Sequence, residues 1–178
     1  MKINKNDKVF LFLDLDGVLA TSTQFYSNKK KWHPAYDCYR FDEKCVEVFN
    51  EILNELRKNA IEVVIILSSD WKLQYTLDEM NDIFKWNGVN AKISGKTPSS
   101  WGVEFKSLQQ LEQCRAYEIM KYVETHNVHN YVAVDDLELT PWMPEDRFVR
   151  TPRVNEGIKQ TGIKDKIITI LNNQIYGD

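Results

Sequence analysis

Two carboxylates one residue apart, Asp14 and Asp16, stand at the end of an apolar run, VFLFLDL, and a glycine, Gly17, follows at once. Residues i and i+2 of an extended backbone point to the same side, so the pair offers two acids to one point in space. Two more apolar runs end in similar groups: IEVVIIL runs into Ser68-Ser69-Asp70, and NYVAV runs into Asp135-Asp136. Carboxylates that converge repel one another, and a hard divalent cation held by oxygen ligands relieves the repulsion. Magnesium suits such a set, because it is satisfied with few carboxylates and keeps waters that a phosphate can replace. Each signal alone has an ordinary reading: DxD as a turn, SSD as a helix start, DD as a loop. Their order is the informative part, since each falls at the end of a separate apolar run.

For these ends to meet, the runs must be strands of one sheet. Val9 to Leu15, Ile61 to Ser69 and Asn130 to Asp136 read as strands buried on both faces. RFVRT (147–151) is expected to add a fourth and AKIS (91–94) a short one. Helical patterns lie between them. In FDEKCVEVFNEILNELRKN (41–59), Cys45, Phe49, Ile52, Leu53 and Leu56 share one face and Asp42 is placed to cap it. WKLQYTLDEMNDIFKWNG (71–88) is expected to be helical, with Gly88 as its stop. Glu112 to Thr125 repeats Tyr117, Met120 and Val123 at helical spacing, and GIKDKIITILNNQI (162–175) closes the chain as an amphipathic helix. This alternation predicts an α/β fold, a three-layer Rossmann-like core with a mostly parallel sheet. Ligands of such sheets bind beyond the carboxyl ends of the strands. The whole chain, 1–178, is expected to be one domain, with TPSSWG (97–102) as a loop. The stretch 21–40 is long, aromatic and polar, and a loop of that length in a compact domain is usually functional or mobile.

Taken together, FLDLDGVL, VIILSS, a helical basic residue and VAVDD resemble the haloacid dehalogenase (HAD) superfamily of phosphotransferases, from about Val9 to Asp136. LSSDWK, GKTP and RAYEIMKYV are similar to one branch, the HAD domains of RNA-repair (Swiss-army-knife) proteins. There an arginine usually follows the tryptophan of the second motif; here Lys72 follows Trp71. The resemblance implies a HAD core with only a small cap-like insert, residues 21–40. It implies that Asp14 is the nucleophile, forming an aspartyl-phosphate. Asp16 would be the general acid and then the base, its carbonyl facing the metal, and Gly17 the turn beside the phosphate. Ser68 would bind phosphoryl oxygens, with Ser69 as the competing assignment; Ser69 or Asp70 is expected to cap the following helix. A fixed cation is implied, for which Arg115 fits best and Lys72 and Lys106 are alternatives. Mg2+ would be held by Asp14, Asp16, Asp136 and Asp135, with Asp136 favoured over Asp135 as the direct ligand.

Composition bounds the rest. A net charge of −3 excludes a chain-wide polybasic footprint. SNKKKWH (27–33) is the sole basic run, ordinarily a solvated loop. A stable nucleic-acid complex is therefore not implied by charge. Trp32, Trp101 and Trp142 fall in expected loops, where stacking on a base and simple packing are both open; Trp71 is expected to pack beneath the site. Apolar runs are too short to cross a bilayer, no signal-peptide core opens the chain, and a cytoplasmic protein is expected. Cys38, Cys45 and Cys114 make no metal or disulfide framework and read as free, mostly buried thiols; His33, His126 and His129 form no triad. The leading functional expectation is a magnesium-dependent phosphomonoester hydrolase acting on a phosphorylated small molecule or nucleic-acid end. The alternatives are a small-metabolite phosphatase, a catalytically silent phosphate-binding module on the same fold, or a dehalogenase.

Overall fold

The structure is a computed structural model and describes residues 8–29, 31–58, 61–99 and 105–177. Five strands form one all-parallel sheet: β1 (Lys8–Leu13), β2 (Glu62–Leu67), β3 (Ile93–Lys96), β4 (Tyr131–Asp135) and β5 (Phe148–Arg150), in the order β3-β2-β1-β4-β5. The helices are α1 (Ser22–Phe25), α2 (Glu43–Lys58), α3 (Leu77–Trp86), α4 (Leu108–Thr125) and α5 (Ile163–Tyr176). The segment 1–7, Lys30, Asn59, Trp101 and Gly102, all part of the expectations above, lie outside the described residues.

Strand alternation sorts the core into two layers. Val9, Leu11 and Leu13 join Ile65, Leu67, Val132 and Val134 against α2, α3 and α5, whose contributions include Phe49, Leu53, Phe84 and Leu171. The intervening residues Phe12, Ile66, Ala133 and Phe148 face the other way, against Ala116 and Ile119 of α4. The result is the three-layer, Rossmann-like core that strand–helix alternation predicts. Each fully buried Leu, Ile or Phe contributes roughly 1.5–3 kcal/mol before chain entropy is subtracted. On α2 the buried face is Cys45, Val46, Phe49, Ile52, Leu53 and Leu56. Asp42 caps that helix: its Oδ1 accepts the N–H groups of Lys44 at 3.0 Å and Cys45 at 3.3 Å. Gly88 follows α3 with φ +76, a left-handed helix stop.

Three elements differ from the sequence reading. The expected helix 71–88 is broken into a 3-10 turn, Asp70–Leu73, and α3. The break is a capping box: Thr76 Oγ1 accepts from the Glu79 N–H at 3.3 Å, and Glu79 accepts from the Thr76 N–H at 2.7 Å. β3 lies two residues further along than AKIS, and its pairing with β2 shifts register between Ile65 and Ile66. On α4, Tyr117 is 58% exposed, whereas Glu112, Arg115, Ala116, Glu118 and Ile119 are buried. Apolar periodicity misleads there because the inward face over the strand ends is polar.

The short insert, 21–40, is a small lobe. It contains α1 and an antiparallel bridge between Trp32 and Tyr39. No helix among the described residues is long and apolar enough to cross a membrane. The three cysteines are free, Cys38 and Cys45 buried and Cys114 partly exposed.

Candidate active site

Parallel pairing brings three chemically loaded strand ends side by side. Leu13 is in register with Leu67 on one side and Val134 on the other. The next residues along are therefore Asp14, Ser68 and Asp135. Backbone hydrogen bonds continue the ladder one step: the Asp14 N–H donates to the Val134 carbonyl at 3.0 Å, and the Ser68 N–H to the Leu13 carbonyl at 2.9 Å. The alternation that turns Phe10 and Phe12 toward α4 turns Asp14 and Asp135 the same way.

After Asp14 the chain coils tightly. The Leu15 carbonyl accepts the N–H groups of Leu19 at 2.9 Å and Ala20 at 2.8 Å. Gly17 has φ +71, and a β-carbon there would lie 2.7 Å from Cβ, Cγ and Oδ2 of Asp136. Glycine is required on both counts. Thr151 Oγ1 donates to the Gly17 carbonyl at 3.0 Å, tying the coil to the segment after β5.

Asp14, Asp135 and Asp136 each offer a carboxylate oxygen, and these oxygens lie within 4.8 Å of one another. Asp14 and Asp135 are buried. Both carboxyls are pushed well above the usual range, by burial first. At Asp14 the neighbouring Asp135 adds to this and Arg115 opposes it; at Asp135 Arg115 is the main opposing influence. Asp136, partly exposed, is raised to about 6 by burial and by the charge of Asp14. Such a set of hard oxygen donors, whose pKa values stay raised despite a neighbouring arginine, fits a small divalent cation.

Arg115, 5% exposed, reaches from α4 into the middle of this group. Its Nη1 donates to Asp14 Oδ1 at 3.1 Å, to Asp135 Oδ2 at 2.9 Å and to the Ser68 carbonyl; its Nη2 donates to Asp70 Oδ1 at 2.9 Å. Burial works against its charge, but Asp135, Asp14 and Asp70 outweigh that and raise its pKa.

The other basic candidates stand elsewhere. Lys72 is buried, and its ammonium donates to Thr97 Oγ1 at 2.8 Å, to the Pro98 carbonyl at 3.0 Å and to the Glu118 carboxylate. Its three N–H donors thus have three acceptors, and it does not line the cleft described below. Lys106 is exposed, and its backbone N–H donates to Gln110 Oε1 at 2.8 Å.

The hydroxyls of Ser68 and Ser69 are buried without a hydrogen-bond partner. Ser69 lies close enough to Asp14 to lower its pKa slightly, although no bond of standard geometry forms. Neither Ser69 nor Asp70 caps the following turn through its side chain, contrary to expectation: Ser69 contributes only its carbonyl, to the Lys72 N–H at 3.1 Å, and Asp70 is drawn to Arg115. Asp16 lies on the solvent side of the group, and its charge is still close enough to help raise the Asp14 pKa. Its carboxylate is exposed at the mouth of the site and accepts the Trp71 indole N–H at 2.9 Å. Surrounding protein raises its pKa, and the indole partly offsets the rise.

Sequence reasoning missed two residues that hold the site. Glu112 Oε1 accepts the Glu138 N–H at 3.2 Å, on the loop after β4, and Glu118 pairs with Lys72. The available signal was the three-residue spacing of Glu112, Arg115 and Glu118, a polar row on one helix face. His33 is structural: its Nδ1 accepts the N–H groups of Ala35 at 3.1 Å and Tyr36 at 3.2 Å.

A cleft of about 550 Å³ opens beside Asp16, Gly17 and Asp136, walled by the insert and by Trp71 and Tyr75. Sheet order, the acids at the ends of β1 and β4, and the arginine between them are the arrangement of a HAD-type domain. Residues 10–161 match the family model for the HAD domain in Swiss Army Knife RNA repair proteins, and the chain belongs to that family. No curated protein and no solved structure matches it.

Proposed function

We propose that the protein is a magnesium-dependent phosphomonoester hydrolase working through an aspartyl-phosphate. The observation that carries this reading is the meeting of Asp14, Asp135 and Asp136 around the Arg115 guanidinium, with two unpartnered hydroxyls alongside. Asp14, Asp136 and Asp135 would hold Mg2+; Asp135 already accepts from Arg115 and from the Leu137 N–H at 3.0 Å, which favours Asp136 as the more direct ligand. When bound, the ion supplies positive charge that offsets the phosphate and keeps Asp14 ionised.

The rest is work for this chain's own groups. A carboxylate oxygen of Asp14 attacks phosphorus, and the bond from phosphorus to the ester oxygen breaks. Asp16, with its raised pKa, gives its proton to the leaving oxygen. It then takes a proton from the water that attacks the aspartyl-phosphate, which releases inorganic phosphate and restores Asp14. The Trp71 N–H holds Asp16 in position throughout. Arg115 steadies Asp14 and the charge that develops on the phosphoryl group. Ser68, with Ser69 beside it, donates to phosphoryl oxygens, and Gly17 leaves room for Asp136.

The chain is read as one hydrolase domain with 21–40 as the rim of its site. A cytoplasmic setting fits its free thiols. Substrate candidates are polynucleotide ends, nucleotides and small phosphorylated metabolites.

The test is phosphate release from p-nitrophenyl phosphate, phosphorylated oligonucleotides, nucleotides and sugar phosphates, with and without magnesium. Magnesium-dependent turnover that disappears in Asp14→Asn is expected. Absence of turnover across several metals and substrates selects the silent module, and metal-independent halide release selects the dehalogenase.

A further inference from the structure

We infer that the cleft beside Asp16 and Asp136 seats the leaving group of the ester, and that it takes a flat aromatic ring carrying no negative charge. The inference rests on the hydrolase reading above and adds what the leaving alcohol bears.

Size and lining carry the argument. A volume of about 550 Å³ is that of a small-molecule site. Six of its lining residues are aromatic: Phe25, Tyr26, Trp32, Tyr39, Trp71 and Tyr75. The rings brace one another edge to face, Phe25 on Tyr39 at 5.5 Å and Trp32 on Tyr39 at 6.3 Å, so the wall is formed in advance. Tyr26 is nonetheless 79% exposed and Trp32 53% exposed. Clustered aromatic surface left in water marks a place where something else covers it.

Charge narrows the occupant. The lining carries Asp16, Asp37 and Asp136 and, among the described residues, no lysine or arginine. A bound cation would offset Asp16 and Asp136 but leaves Asp37 exposed on the rim. A second phosphate in the cleft would meet the Asp37 carboxylate with no counter-charge among the lining residues. An uncharged or cationic ring meets a stacking surface of matching sign. The ring takes no part in bond making: the ester P–O bond breaks as above, and the ring-bearing alcohol departs with the proton from Asp16.

The test pairs esters whose leaving alcohols have similar acidity but differ in the ring: 2-phenylethyl phosphate against butyl phosphate, and adenosine 5′-phosphate against ribose 5-phosphate. With magnesium present, the ring-bearing member of each pair is expected to show about ten-fold higher kcat/KM, chiefly through KM, within the range that stacking on an aromatic side chain supplies. Trp32→Ala and Tyr26→Ala should each shrink that ratio. Adenosine 3′,5′-bisphosphate should be a poorer substrate than adenosine 5′-phosphate, and Asp37→Asn should narrow the gap. Equal turnover within both pairs, or a ratio unmoved by both aromatic variants, overturns the seat and leaves the hydrolase standing. No turnover of any ester removes the hydrolase and the seat with it.

Discussion

Gly17 and Asp136 touch so closely that no other residue fits at position 17: a β-carbon there would stand 2.7 Å from three side-chain atoms of Asp136. The two belong to segments that leave different strands. The coil after β1 therefore sets the position of the acid after β4. Gly17→Ala meets both the clash and the positive φ, which costs about 1–2 kcal/mol by itself. On the proposed reading, phosphatase activity is expected to fall by about a hundred-fold or more, as misplacement of a reacting group does, while the circular dichroism spectrum stays native. Magnesium-induced thermal stabilisation, read by differential scanning fluorimetry, should shrink in parallel. A variant with wild-type stabilisation by magnesium would contradict the role given to this contact.

Arg115 is the sole cation bonded to Asp14 and Asp135 among the described residues. Arg115→Met leaves two buried carboxylates facing one another, and breaking a buried pair from one side costs about 3–5 kcal/mol. Urea denaturation of the metal-free variant should show a loss of that size at pH 7. The deficit should be smaller at pH 5, where protons neutralise the acids. Arg115→Lys should keep part of the stability, yet it cannot span Asp14, Asp135, the Ser68 carbonyl and Asp70 at once.

The metal-free protein should lose stability as pH rises toward neutrality. Asp14, Asp135 and Asp136 all have pKa values raised on folding, with Asp136 at about 6 against an unfolded 3.8. A raised acid contributes stability that is fully present below its unfolded value and is lost as pH passes through its folded value. The urea midpoint in EDTA is therefore expected to decline between about pH 5 and 7, and Asp136→Asn should flatten the decline. Added magnesium should reverse it, more strongly at the higher pH, because the ligands must be ionised to bind. A midpoint that rises over this interval without metal would refute the account.

Lys72 and Glu118 form a buried pair behind the site. Glu118→Leu strands an ammonium in the interior and should destabilise the protein by about 3–5 kcal/mol. Lys72→Met combined with Glu118→Leu should recover most of the loss. Chemical denaturation of the two single variants and the double variant closes the cycle. If Lys72→Met alone leaves stability unchanged, the pair is not coupled as described.

Much of this arrangement was legible beforehand, for identifiable reasons. VFLFL, VVIIL and YVAV are runs with a single plausible environment, a sheet covered on both faces, and their terminal acids follow from parallel pairing. What escaped notice lies where polar groups face inward. Searching α4 for apolar repeats selects Tyr117, which faces water, and overlooks Glu112 and Glu118, which do not. Lys72 adjoins Trp71 in the chain, but the direction of a side chain on a 3-10 turn depends on what that turn packs against. Here it packs toward Glu118 and Thr97 instead of the cleft. The break before α3 was written in Thr76 and Glu79 as a capping pair, and the apolar pattern on either side masked it.

The polar row on α4 has a consequence for how the molecule becomes competent. Arg115 is 101 positions from Asp14 and 47 from Ser68 along the chain, so their bonds arise only once distant segments have docked. A nascent or partly unravelled chain has no grouped acids with which to capture an ion. At the proposed metal site, cation affinity is thereby a census of correctly assembled molecules.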